Sequence, residues 1–318
     1  MTSVAFVINR GLVRDRRTLM RRFLAAAEAE GLKATFAETG TAEEGLRAVR
    51  EAVAAGARLV FAAGGDGTVR TCAQALDGTG VPLAIVPLGT ANLVARALGV
   101  PSRIGAALHA GFRGRDRLID LAQVEDLGGA DLGGAGPEGA DAGGADRSAG
   151  GGAVFVAMAG IGLDAAVVGA APRGGKRLFG WVAYLAAGVR HLGWTEREFA
   201  VRLDHESVVC RRARCVVVGN VGLLPGGFRL LPEAGVDDGW LDVGILAPSG
   251  GLGWVGVAGR VLMRHRGEHR SLERFRARHV EISAGEELPR QIDGEVVLPG
   301  RTLTVSIKAG ALRVRQPR

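Results

Sequence analysis

The sequence predicts an N-terminal α/β domain built on a parallel sheet, followed by a mainly β sandwich. Three observations carry this reading. Strand and helix signals alternate regularly up to about residue 120, the pattern of successive βαβ units. Beyond that point the signals become short strands bounded by turns, as in antiparallel sandwiches. The length, 318 residues, fits two domains of roughly 100–200 residues each. The expected boundaries are 1–120 and 121–318.

The elements follow in order. Val4–Ile8 is an apolar run, after which Leu19, Phe23 and Ala27 recur at helical spacing. Lys33–Ala37 alternates as a half-buried strand does. Thr41 with Glu44 forms a capping box ahead of a helix that places Leu46, Val49 and Val53 on one face. Leu59–Ala63 is a third strand, ending at Gly64-Gly65, and Leu83–Val86 a fourth, ending at Pro87. The result is a Rossmann-like parallel sheet. Leu118–Val124 and Val154–Ala159 open the second part. Phe199–Leu203, Cys215–Val218, Leu241–Leu246, Val280–Ser283 and Leu303–Ile307 supply the sandwich strands, and Leu178–Leu192 and Leu252–His265 its helices. Between the first two strands, residues 126–152 hold 11 glycines, five acids and one arginine. Such a segment buries too little apolar surface to order itself and reads as a disordered insertion.

Composition removes several classes. Hydrophobic residues at 47% and charged residues at 23% exclude a largely disordered chain. Cys72, Cys210 and Cys215 are too few for a disulfide framework and lack zinc spacing. Cys210 and Cys215, five apart in one strand-like run, are expected on opposite faces. The Val4–Ile8 run is too short for a signal peptide. The longest apolar stretch, Val243–Met263, is broken by Pro248, Ser249, Arg260 and six glycines, unlike a membrane span. A cytoplasmic protein is therefore expected. The charge balance, 40 − 33 = +7, can draw the chain to an anionic surface. The basic run Arg264–His279 reads either as a solvated helix end or as a membrane-facing patch. Two sequences of the GxGxxG form, beginning at Gly134 and Gly251, lack the strand or the acid that a dinucleotide site requires.

Chemistry concentrates in two loops. Gly64-Gly65-Asp66-Gly67-Thr68 lies where a strand ends and a helix begins, so backbone N–H groups and the helix N-terminus can meet an anion. An acid inside such a loop repels phosphate unless a divalent cation bridges the two; otherwise Asp66 caps the following helix. Pro87-Leu88-Gly89-Thr90-Ala91-Asn92 repeats the arrangement one unit later. Both loops fall on the carboxyl edge of the parallel sheet, where open α/β folds bind ligands. Late in the chain, Asp293 and Glu295 either point two carboxylates into one cleft or flank a type I′ turn at Asp293-Gly294.

These motifs, with Asn9, Ala159-Gly160-Ile161-Gly162-Leu163-Asp164, Asp237-Asp238-Gly239 and Ile292-Asp293-Gly294-Glu295, resemble the lipid kinase family that includes diacylglycerol and sphingosine kinases. The resemblance runs along nearly the whole chain. The first loop is shared with NAD kinases and phosphofructokinases, whose nucleotide domain has the same fold. The second loop and the Asp-Gly-Glu favour lipid kinases, and the Thr-Pro-Thr-Gly-Ser segment of NAD kinases is missing.

The resemblance implies an ATP- and Mg2+-dependent enzyme that phosphorylates diacylglycerol at a membrane surface; the alternatives are a kinase of a sphingoid base, ceramide or another lipid alcohol, and a nucleotide- or lipid-binding protein without turnover. No nucleic-acid partner is implied, and a homodimer is compatible with it. Asn9 to Val13, Thr39, Gly64, Gly65, Gly67, Thr68, Thr71, Gly89, Thr90 and Asn92 would line the nucleotide site, with Lys176 on a phosphate. Asp66 would serve metal and catalysis, and Glu295 would be the general base. Asp238 with the backbone oxygens of Gly235 and Trp240 would match a structural magnesium site. The chain departs from the family pattern at Arg10-Gly11-Leu12, at Leu93 (an Asp in many members) and in the glycine-rich insertion.

Overall fold

The computed structural model describes residues 3–13, 15–125, 153–163, 195–204, 208–224, 227–248, 253, 256–257, 259 and 271–318. The first part winds β1 (Ser3–Asn9), α1 (Arg16–Ala29), β2 (Lys33–Thr39), α2 (Ala42–Ala54), β3 (Ala57–Gly64), α3 (Asp66–Leu76), β4 (Leu83–Pro87), α4 (Leu93–Ala97) and α5 (Ile104–Arg113). Strand order is β2-β1-β3-β4, all parallel. Leu19, Phe23 and Ala27 are the buried residues of α1, as their spacing requires. Phe23 stacks on Phe6 of β1, which stacks in turn on Phe36 and Phe61. Thr41 caps α2 by accepting from Glu44 N–H, while the Glu44 carboxylate reaches back to Gly40 N–H, 2.6 Å away.

Beyond α5 come β5 (Arg115–Val124), β6 (Ala153–Phe155), β7 (Met158–Gly162), β8 (Arg197–Leu203), β9 (Val209–Ala213), β10 (Cys215–Gly219), β11 (Leu241–Leu246), β12 (Leu272–Ala277), β13 (His279–Ile292) and β14 (Glu295–Gln316). Among the described residues the antiparallel order is β12-β11-β10-β7-β13-β14, with β8 also on β13 and β5 also on β14. Inward residues of these strands, among them Phe199, Val218, Val243, Ile282 and Val305, share a second core. Cys210 and Cys215 belong to two strands rather than one. β9 ends at Ala213, leaving Cys210 exposed and Cys215 buried.

The two halves share one sheet. β14 pairs with β13 at its start, then with β5, and its Val314 lies beside Leu83 of β4. Leu312 and Val314 thereby enter the first core. The expected boundary at residue 120 falls within β5, where buried Asp120 accepts from Gly239 N–H and Gly310 N–H at 2.7 and 2.8 Å.

Residues 126–152, Asp164 and the helices expected at 178–192 and 252–265 lie outside the described residues wholly or in large part. The flanks of the insertion are placed, and Val124 and Ala153 are direct partners across β5 and β6. Replacing residues 127–151 with a short turn should therefore leave activity and melting temperature nearly unchanged, since closing a loop costs only logarithmically with its length. Loss of folding would show that the segment contributes to the structure.

Candidate active site

Parallel strands bring three loops to one sheet edge. At the end of β1, Asn9 accepts from Gly11 N–H at 3.0 Å and donates to the Thr68 hydroxyl at 3.3 Å. Arg10 lies over Gly40, just past β2 on the same edge, and pairs with Glu44 at 3.6 Å. Gly65 stands at the N-cap of α3 with no side-chain cap below it. The Gly64 carbonyl accepts from Leu88 N–H and Gly89 N–H, at 2.8 and 3.2 Å, so the second loop is hung on the first. A Cβ on Gly89 would stand 2.5 Å from Gly65 Cα. Only glycine permits this approach. Asn92, in the left-handed region at φ 47°, locks the second loop by bonding both Gly89 N–H and Gly89 carbonyl.

Asp66 meets the start of a helix, though not the α3 of the capping alternative. Its Oδ1 accepts from Val94 N–H at 3.3 Å, at the start of α4 rather than α3. The reason is the contact between the loops, which sets the amides of residues 92–94 against the carboxylate. Burial raises the Asp66 pKa to about 6, the nearby Asp293 carboxylate adds to the rise, and those amides oppose it.

Asp293 comes from the far end of the chain. Asp293 and Gly294 have φ of 48° and 80°, the left-handed pair of a type I′ turn between β13 and β14. The two carboxylates around this turn therefore do not share a strand face. Asp293 turns inward and accepts from the N–H groups of Val156, Ala157 and Met158 at 2.8–3.0 Å. Burial pushes its carboxyl up, against the pull of Arg70 and those three amides. Glu295 turns outward over α3. Its Oε1 would lie 2.5 Å from a Cβ on Gly67, and its Oε2 accepts from Arg70.

The other candidates divide. Thr39 is buried at the end of β2, directly beside Asn9, and Thr90 is exposed on the second loop. Thr71 faces α2 instead: its hydroxyl donates to Gly67 carbonyl at 3.0 Å and its methyl abuts Gly45. Lys176 lies outside the described residues. Around Gly235, Asp238 and Trp240, the Asp238 carboxylate accepts from Trp240 N–H at 3.1 Å and from the Arg276 guanidinium. Arg276 also lies 3.6 Å from Asp242, whose pKa burial raises to about 6. In this arrangement the Arg276 guanidinium supplies the positive charge beside Asp238. Among the described residues, no group of three His, Cys, Asp or Glu side chains is placed to hold a metal. Arg70 lies within the Gly65–Thr71 stretch expected to line the nucleotide site, but its contacts to Ile292 and Glu295 are ones that motif spacing missed.

The diacylglycerol kinase catalytic domain matches residues 3–124, and the YegS C-terminal, NAD kinase β-sandwich-like domain matches residues 157–316. A Pseudomonas aeruginosa protein named "probable lipid kinase YegS-like" is 34% identical over 304 residues, covering 94% of this chain and 89% of that protein. The chain belongs to the YegS-like lipid kinase family. Its enzyme class is thereby fixed as an ATP-dependent kinase. A Klebsiella pneumoniae protein of the same name is 28% identical over 291 residues, 91% of this chain and 88% of that one. Solved structures share this fold. One from Bacillus anthracis, named "a putative diacylglycerol kinase", superposes with TM-score 0.76 at 21% identity, covering 99% of this chain and 95% of that one. An NAD kinase from Archaeoglobus fulgidus follows at TM-score 0.52 and 11% identity, covering 99% and 94%. The expected α/β domain followed by a β sandwich is thus the family's own architecture.

Proposed function

We propose that this kinase moves the γ-phosphoryl group of ATP to the hydroxyl of diacylglycerol, giving phosphatidic acid, at the inner face of a membrane. One observation supports it above the others. Glu295, on a hairpin of the β half, stands over Gly67 in the first turn of α3, beside the loop suited to phosphates. An acceptor hydroxyl between that carboxylate and the loop would lose its proton to Glu295 Oε1. Its oxygen would bond to the γ-phosphorus as the bond from that phosphorus to the β,γ-bridging oxygen breaks, leaving ADP. Positioning and charge neutralisation carry most of such a transfer. Asn9, Gly65, Gly67, Thr68, Gly89 and Thr90 are the residues we assign to the nucleotide.

Asp66 suits a divalent cation. It is a hard oxygen donor set close to a second carboxylate, and its raised pKa reflects a site where positive charge is wanted. Magnesium bound there would offset the charge of the phosphates. The carboxylate must be ionised to meet a cation, so affinity for magnesium nucleotide should fall as pH drops through about 6. Calorimetry at pH values about one unit on either side should show weaker binding on the acid side, with proton release near the midpoint. Affinity independent of pH would remove Asp66 from the metal site.

Among the described residues no helix is long and apolar enough to cross a membrane. Attraction of the basic chain, net +7, to anionic lipid is our account of how it reaches its acceptor. Labelled ATP offered with diacylglycerol, sphingosine, ceramide and NAD tests the assignment. Label on diacylglycerol is expected, and label on NAD alone would overturn a lipid acceptor.

A further inference from the structure

We infer that Arg70 is a positioning residue that aims the Glu295 carboxylate at the phosphate loop. The inference rests on Glu295 acting as the base. Arg70 lies in α3 one turn beyond Asp66, so the two share a helix face. Its side chain is 2% exposed while that of Glu295 is 53% exposed. A half-exposed glutamate at a hairpin tip would otherwise sample several rotamers. The buried guanidinium prevents this by gripping both legs of the hairpin. One nitrogen donates to Ile292 carbonyl at 2.9 Å and the other to Glu295 Oε2. Ile292 and Glu295 are direct partners across the turn, so the planar fork reads the hairpin's closing pair.

The consequence is a division of labour between the two carboxylate oxygens. Oε2 is held by Arg70, and Oε1 is left over Gly67, where the absence of a side chain makes room for it. Arg70 also lies close enough to the buried Asp293 to oppose the rise in its pKa, so the same cation steadies the turn itself. Lysine at this position would keep the charge but could not span both acceptors with one rigid group.

A purely structural arginine would tie the halves together without regard to the chemistry of Glu295, and a four-cornered comparison separates the roles. Wild type, Arg70→Lys, Glu295→Gln and the double variant are assayed with diacylglycerol in mixed micelles, or with whichever of the four acceptors takes label. Arg70→Lys is expected to lower kcat about 10- to 100-fold, the usual loss from a misaimed group, with KM for ATP little changed. In the Glu295→Gln background the same replacement should cost less than about twofold, because no base remains to aim. Equal losses in both backgrounds would overturn the positioning role while leaving Glu295 as base. A Glu295→Gln variant of near-normal rate would remove the base and the positioning role together. If Arg70→Lys does not fold, Arg70→Gln takes its place. If neither folds, Arg70 is structural and the inference falls.

Discussion

Asp66→Asn is expected to abolish turnover, by at least about 10³-fold, while the protein keeps its fold. Asparagine has the shape of aspartate and retains an oxygen to accept from Val94 N–H, so the contact between the two loops survives. What disappears is the charge that a cation beside the phosphates would meet. The melting temperature should hold or rise, because the substitution removes one of two carboxylates that repel each other in a poorly hydrated site. Magnesium nucleotide should bind more weakly, and excess magnesium should not restore the rate. Normal activity at saturating magnesium would reduce Asp66 to a cap of α4.

Glu295→Gln is the second large effect, a loss of about 10²–10⁴-fold in rate, the usual worth of a general base. Glutamine preserves the length of the side chain and can still accept from Arg70. The hairpin, set by Asp293-Gly294, does not depend on the charge. ATP affinity should change little, since a base acts on the acceptor hydroxyl rather than on the nucleotide. Rates within about threefold of wild type would exclude proton abstraction by Glu295. Loss of ATP binding with loss of rate would instead put Glu295 in the metal–nucleotide network.

The α/β half was legible because its signals are local. Leu19, Phe23 and Ala27 repeat at the helical period, and they are the residues α1 buries. The glycine loops could be located because strand and helix flank them on either side. Their contact could not: the approach of Gly89 to Gly65 arises only when β3 and β4 pair. For the same reason the capping alternative for Asp66 pointed to α3, when the amides it meets belong to α4. Asp293 and Glu295 were open to strand alternation or a turn. The positive φ of two consecutive residues decided for the turn and sent the carboxylates apart. Arg70 left one sign that could have been read, a charged residue within the run Thr68–Ala73, all of which is buried. An arginine there needs partners, and only the fold shows that they arrive from residues 292–295.

The last strand also sets the order in which the molecule can be made. β14 begins at the hairpin that carries Glu295 and ends with Leu312 and Val314 filling the first core, alongside Leu83 and Ile119. A nascent chain that has emerged as far as α5 thus holds every nucleotide loop but lacks the strand that covers the outer edge of β4. That edge lacks Val314, the partner of Leu83, until β14 has been synthesised, and it stands open next to buried apolar side chains. Contacts so distant in sequence form slowly, and the waiting intermediate is the kind that aggregates or engages chaperones. An isolated N-terminal half would be stranded at this stage, with its phosphate loops built and its sheet unfinished.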